Sequence, residues 1–386
     1  MPLVDVPQPI DDAERAFRSR QLITCIGNKR ALLGPIETAV QSVRSRLGGR
    51  RLRVVDAFTG SGAVARMLKP HAQRLVVNDL EAYAAVAGRC YLANRGDVDR
   101  DGLRRAIDAL NRGVNEPTSD GPGFIERLYA PADESAITAE DRVFYTRANA
   151  RRLDRYRAAI DGQPDHLRPF LLAPLLSAAS VHANTAGVFK GFYKDKVTGI
   201  GKFGGTGGDA LRRIRGEVRL QMPVFSAFDS DVQVHRSDAN EVVRSVGGFD
   251  LAYFDPPYNQ HPYGSNYFML NLLVDYEEPA EISRVSGIPR DWRRSDYNVK
   301  RKILPRLADL VADVDARFVL LSFNNEGFVS PTDLRDLLAQ HGTVEQFALP
   351  YTTFRGSRNL RNRSKDVTEH LFLLEKGVAH SGQRRA

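Results

Sequence analysis

Residues 51–70 read RLRVVDAFTGSGAVARMLKP. A short β-branched run ends in an acid, glycines at 60 and 62 turn the chain, and a helical pattern leaves. The same design recurs in RLVVND (74–79), where a buried strand closes on a carboxylate. LAYFDPPY (251–258) and RFVLLSFNN (317–325) supply two more apolar strands with polar ends. Residues 30–47 carry apolar positions at Leu32, Leu33, Ile36, Ala39, Val40 and Val43, a helical spacing. Strands that alternate with helices and end in polar residues indicate an α/β fold. Its sheet is mainly parallel and Rossmann-like, with helices on both faces and the site at the strands' carboxyl ends.

The alternation breaks between 95 and 235. An Arg/Asp-rich helical pattern runs to about residue 163, an apolar helix covers 168–182, and a Gly/Lys/aromatic loop occupies 187–208. PTSDGPG (117–123) punctuates it as a linker or turn. The expected division is therefore 1–95 as one part of the main domain, 96–235 as a helical insertion carrying target recognition, and 236–386 as the other part.

Composition narrows the class. The chain has 386 residues, a net charge of +8 and 42% hydrophobic residues, a globular balance. Nothing approaches the roughly 18-residue apolar run of a membrane span. The start, MPLVDVPQPIDDAER, has no secretory pattern. Cys25 and Cys90 are the two cysteines, too few for a disulfide framework or a cysteine-built zinc site. A reducing, cytoplasmic setting in a bacterium is the expectation, without membrane, and with the chain acting as a monomer. The histidines show no zinc-like pairing and no acidic cluster suggests a required metal, so the expected metal is none.

Two segments carry chemistry. In Asp56-Ala57-Phe58-Thr59-Gly60-Ser61-Gly62 the glycines let backbone approach a ligand closely, but the spacing is not the six-residue dinucleotide fingerprint. No Gly-Lys-Ser/Thr follows, which disfavours a nucleoside-triphosphate loop. Asp79 stands at the next strand end, where a carboxylate can accept from ribose hydroxyls. In Asp255-Pro256-Pro257-Tyr258 the prolines remove two N–H donors and fix the backbone, so the tetrapeptide projects rigidly from its strand. It offers an acid, a free carbonyl and an aromatic face. An exocyclic amino group on a planar base needs two acceptors and a stacking surface.

Together these motifs resemble the amino-methyltransferases that use S-adenosylmethionine, and in particular the D12 (Dam-like) adenine-specific DNA methyltransferases. The family's glycine motif corresponds to Asp56–Gly62 and its catalytic motif to Asp255–Tyr258. Its N-terminal Gly-x-Lys run corresponds to Ile26-Gly27-Asn28-Lys29. Asp79 matches the strand-end acid, and Asp238 falls where the family places an acid near the cofactor adenine. Asn184–Phe189 and Asn266-Tyr267 resemble segments of FokI-type modification enzymes. One departure is Asp56-Ala57-Phe58 in place of the usual Glu-Pro-Phe, which keeps the acid and loses the proline.

The resemblance implies methyl transfer from S-adenosylmethionine to N6 of an adenine flipped out of double-stranded DNA, as part of restriction-modification. Asp255, Pro256, Pro257 and Tyr258 would be catalytic. Ile26, Gly27, Asn28, Lys29, Asp56, Ala57, Phe58, Gly60, Gly62, Asp79 and Asp238 would hold the cofactor. A cognate restriction endonuclease is the possible protein partner. N4-cytosine methylation shares the chemistry and differs in pocket shape. An inactive DNA-binding module with the same fold is the alternative of another class.

The charge has a distribution. RDWRRSDYNVKRK (290–302) holds six basic residues against two acidic ones. YTTFRGSRNLRNRSK (351–365) has five basic residues and no acid, and the 187–203 loop has four of the chain's lysines among aromatics. Such mixtures suit a phosphate-tracking surface. They nominate Lys190, Lys194, Lys196, Arg293, Arg294, Arg355, Arg358 and Arg361 as DNA contacts. Solvated helix faces, with an arginine excess set by genome composition, are the plainer alternative.

Overall fold

A computed structural model describes residues 12–23, 29–117, 119, 121–205, 210–352 and 366–377. Strands β1 (Leu52–Asp56), β2 (Ala72–Asn78), β3 (Asp231–His235), β4 (Phe249–Phe254), β5 (Ala316–Asn324), β6 (Gly342–Thr352) and β7 (Asp366–Lys376) form one seven-stranded sheet. The order is β3-β2-β1-β4-β5-β7-β6; β3 through β5 run parallel, and β7 enters antiparallel to β5 and β6.

The central strands read as continuous apolar runs because both faces are covered. β4 is buried throughout. On one face, helices Ala239–Ser245, Lys300–Asp313 and Pro331–Ala339 pack over Val55, Ala252, Val319 and Phe372. On the other, helices Leu33–Arg46 and Ala63–Leu68 cover Val54, Leu251, Tyr253, Phe318, Leu320 and Leu371. Period-two alternation places Tyr253 on the second face, and the same stripe ends in polar groups at the carboxyl edge.

Helices at 100–113, 124–129, 147–161 and 168–181 form a separate layer. Its core also takes Tyr83 and Cys90 from the helix after β2, and Tyr267, Leu270 and Leu273 from beyond β4. The insertion thus shares its core with segments on both sides. The boundary at 235 needs correction, because β3 pairs parallel with β2 along Asp231–His235 and belongs to the sheet. As an edge strand with mostly half-exposed residues, it lacks the apolar run that marks the central strands.

Candidate active site

The carboxyl ends of β1, β2 and β4 open onto a cleft of about 970 Å³. Its wall includes Lys29, Asp56, Ala57, Phe58, Gly60, Asp79, Asp238, Asp255 and Pro257, which the sequence had placed far apart. Glu81, Tyr83, Tyr253, Arg293 and Tyr297 join them. This is where an open α/β sheet places its ligand. Ile26, Gly27, Asn28, Arg355, Arg358 and Arg361 lie outside the described residues.

At the glycine turn, Gly60 and Gly62 adopt φ of 53° and 73°, which a side chain would strain. Gly62 caps the helix Ala63–Leu68 without lining the cleft. The turn is tied to the neighbouring strand, because the Gly60 N–H donates to Asp79 Oδ2 at 2.7 Å. The Glu81 N–H donates to the other Asp79 oxygen at 2.9 Å. Asp56 is fully buried, and its Oδ2 has no hydrogen-bond partner among the described residues. Burial pushes the Asp56 carboxyl well up, although the Phe58 N–H opposes this. Such an unpaired buried polar group beside the cleft is available to a ligand.

The far wall is aromatic and acidic. Phe58 meets Tyr297 edge-on at 5.0 Å between centroids, and the Tyr297 hydroxyl donates to Asn240 at 2.7 Å. Asp238 caps the helix Ala239–Ser245, accepting from the Asn240 N–H at 2.9 Å and from Arg306 at 2.6 Å. Glu81 belongs to the same wall. It lines the cleft with its carboxyl raised to about 7, by burial first and then by Asp79. Asn271 donates to it at 2.5 Å.

At the other end stands Asp255. Lys29 Nζ lies 2.9 Å from Asp255 Oδ1 and 2.9 Å from Glu369 Oε1. Burial opposes the ammonium, but Asp255 and then Glu369 outweigh it and hold Lys29 well above the ordinary lysine range. Burial also raises Asp255, with Glu369 adding to the rise and Lys29 opposing it. Lys29 lines the cleft, and its ammonium is also engaged by these two carboxylates. Pro256 is buried, and Tyr258 packs edge-on against Phe323 at 5.7 Å with Lys29 Nζ 5.7 Å from its ring centre.

Glu369 was missed by sequence reading. It lies in an antiparallel strand opposite Asn324, and nothing local in TEHLF distinguishes it from a surface glutamate. Lys190, Lys194 and Lys196 are exposed, as are Arg293 and Arg294, with the Arg294 guanidinium 4.8 Å over Trp292. Arg293 differs from the others because it also lines the cleft. Of the lysine loop's aromatics, Phe189 and Phe192 are buried in the helical core and Phe203 packs against it.

A parallel sheet, a glycine turn tied to a strand-end acid, and a projecting Asp-Pro-Pro-Tyr beside the same cleft define the architecture of an amino-methyltransferase. The family of D12 class N6 adenine-specific DNA methyltransferases matches residues 26–336, and the chain belongs to it. It is 28% identical over 359 residues to the type II methyltransferase M.NlaIII of Neisseria lactamica, covering 91% of this chain and 98% of that protein. It is 28% identical to the type II methyltransferase M.CviAII of Paramecium bursaria Chlorella virus 1, over 86% of this chain and 93% of the relative. The modification methylase StsI of Streptococcus sanguinis is likewise 28% identical, over 91% of this chain but 51% of its own length. Among the described residues no helix is long and apolar enough to cross a membrane.

Proposed function

We propose that this chain methylates adenine N6 at a specific site in double-stranded DNA, with S-adenosylmethionine as donor, in a bacterial restriction-modification setting beside a cognate endonuclease. The observation that carries the reading is the convergence of Asp255 and the Asp56–Asp79 turn on one cleft. When bound, S-adenosylmethionine supplies an electrophilic methyl group. The cleft fits such a donor: Asp56 offers a buried Oδ2 without a partner among the described residues, Asp79 and Asp238 are strand-end and helix-cap acids, and Phe58 and Tyr297 give an aromatic wall. Asp79 already accepts two backbone N–H groups, so its remaining lone pairs would meet hydroxyls while the bound turn keeps it aimed.

The adenine amino group is a poor nucleophile because its lone pair is delocalised into the ring. The Asp255 carboxylate and the Pro256 carbonyl would each accept one of its protons, concentrating density on nitrogen and stabilising the charge it develops. The two prolines would hold that pair in line with the methyl donor. The base must leave the stack, at a cost of about a few kcal/mol, and Tyr258 would receive it face-on. Lys190, Lys194, Lys196 and Arg294 would contact phosphates, and the monomer suffices for one site.

Incubating the chain with labelled donor and DNA, then digesting to nucleosides, tests the reading. N6-methyladenine at one sequence context is the expected product; N4-methylcytosine or no transfer overturns it. Lys194→Glu with Lys196→Glu should lower DNA affinity and reduce the slope of log affinity against log salt by about two. Filter binding across a salt series checks this.

A further inference from the structure

We propose that Glu369 is a positioning residue of the methyl-transfer site, acting through Lys29 to set how strongly the Asp255 carboxylate accepts the target amino group. The inference rests on the assignment of Asp255 above.

One ammonium is shared between two carboxylates. Lys29 Nζ sits at 2.9 Å from each, so neither carboxylate has the cation to itself. Glu369 is fully buried, the Ser322 hydroxyl donates to the same Oε1 that meets Lys29, and its Oε2 has no partner among the described residues. A buried carboxylate is costly unless it is paired and hydrogen-bonded, and hydrophobic replacement of a buried pair is often neutral. Glu369 has no exposure through which to touch DNA solvent-side, and it does not line the cleft. Its route to the chemistry is Lys29.

A lysine committed wholly to Asp255 would withdraw electron density from the oxygen that must accept the amino proton. Glu369 draws part of that charge away, and Asp255 stays the better acceptor. Among the described residues, the other ionisable groups around the pair are Asp56, which interacts with Asp255, Tyr253, which interacts with Asp255, Lys29 and Glu369, and Tyr258, which interacts with Lys29. His370 neighbours Glu369 along the strand and feels its charge. None of these others makes a direct ion pair with the ammonium; Asp255 and Glu369 do.

The experiment measures single-turnover methyl transfer against pH in the full chain, with Asp255→Ala beside it and thermal unfolding on every variant. Transfer requires ionised Asp255, so the rate falls as pH drops through its titration. In Glu369→Gln the repelling charge is gone, and that acid limb moves down by about one pH unit. The high-pH plateau also falls by about five-fold, because a weaker acceptor activates the amino group less. Glu369→Asp retains the charge and returns the limb toward wild type. Ser322→Ala leaves Glu369's charge to Lys29 alone, draws the ammonium from Asp255, and moves the limb upward by less; it serves as the deciding variant should Glu369→Gln not fold.

A limb that stays in place in Glu369→Gln and Ser322→Ala, while Asp255→Ala is inactive, overturns the role of Glu369 and leaves Asp255 standing. An Asp255→Ala enzyme that methylates at the wild-type rate overturns both.

Discussion

Asp250 and Asp255 stand near opposite ends of one strand, and each meets a cation, yet their surroundings give them opposite characters. Asp250 lies at the amino end of β4, where Arg50 grips both its oxygens at 2.7 Å and the Arg53 N–H donates at 2.7 Å. Burial works against this carboxylate, but the Arg50 and Arg53 contacts prevail and hold it at about 2. Asp255, at the carboxyl end, has a single lysine that it shares with a second carboxylate, and burial pushes it up to about 6. A saturated carboxylate fastens strands together. One left short of donors retains the capacity to accept from a ligand, and the parallel sheet puts that one at the edge where ligands bind.

Replacing each residue separates the two characters. Asp255→Asn should lower methyl transfer by about a thousand-fold, because an amide turns one acceptor into a donor facing the amino group. Donor binding measured by calorimetry, and the unfolding midpoint, should stay near wild type. Lys29→Met should be the next largest change. It leaves the buried Glu369 and the half-buried Asp255 without their shared cation, at a stability cost of about 3 kcal/mol. It should also reduce transfer by about a hundred-fold at neutral pH and move the acid limb upward. Denaturant titration and the pH–rate profile read these two effects.

The smallest effect lies at the other end of the strand. Asp250→Asn should keep full activity and lose on the order of 1 kcal/mol, since its arginine partners are partly exposed and screened. The pH dependence has a definite sign. Asp250 titrates lower in the folded chain than in the unfolded one, so its contribution is present above about pH 4 and disappears as pH falls toward 2. Wild type and Asp250→Asn should therefore converge in stability at low pH, as measured by thermal unfolding. A lost activity in Asp250→Asn would break the division between the two ends.

Much of this was legible along the chain. The apolar runs at 51–56, 74–78, 251–254 and 317–324 appear as central parallel strands, and residues 33–46 and 168–181 as helices. Asp56, Gly60, Asp79, Asp238 and Asp255 do line one cleft. Strand β3 escaped notice because an edge strand buries little, and the β6–β7 pair because antiparallel strands beyond a parallel sheet carry no motif. The pairing of Lys29 with Glu369 escaped because the contact spans most of the chain.

Short-range physics is written in the sequence itself. Turn glycines, paired prolines and strand-end acids act within a few residues, so they fix the glycine turn, the projecting tetrapeptide and the fold class without knowledge of neighbours. The family to which the chain belongs followed from those same segments. What only the tertiary structure decided is which acid meets which cation. Asp79, Asp250 and Asp255 are the same residue type in or just beyond strands of similar pattern. Two backbone N–H groups, two arginines, or one divided lysine then make them a brace, a fastening and an acceptor. A carboxylate's behaviour depends on burial and on charges within a few ångströms, and those neighbours are brought together by sheet order.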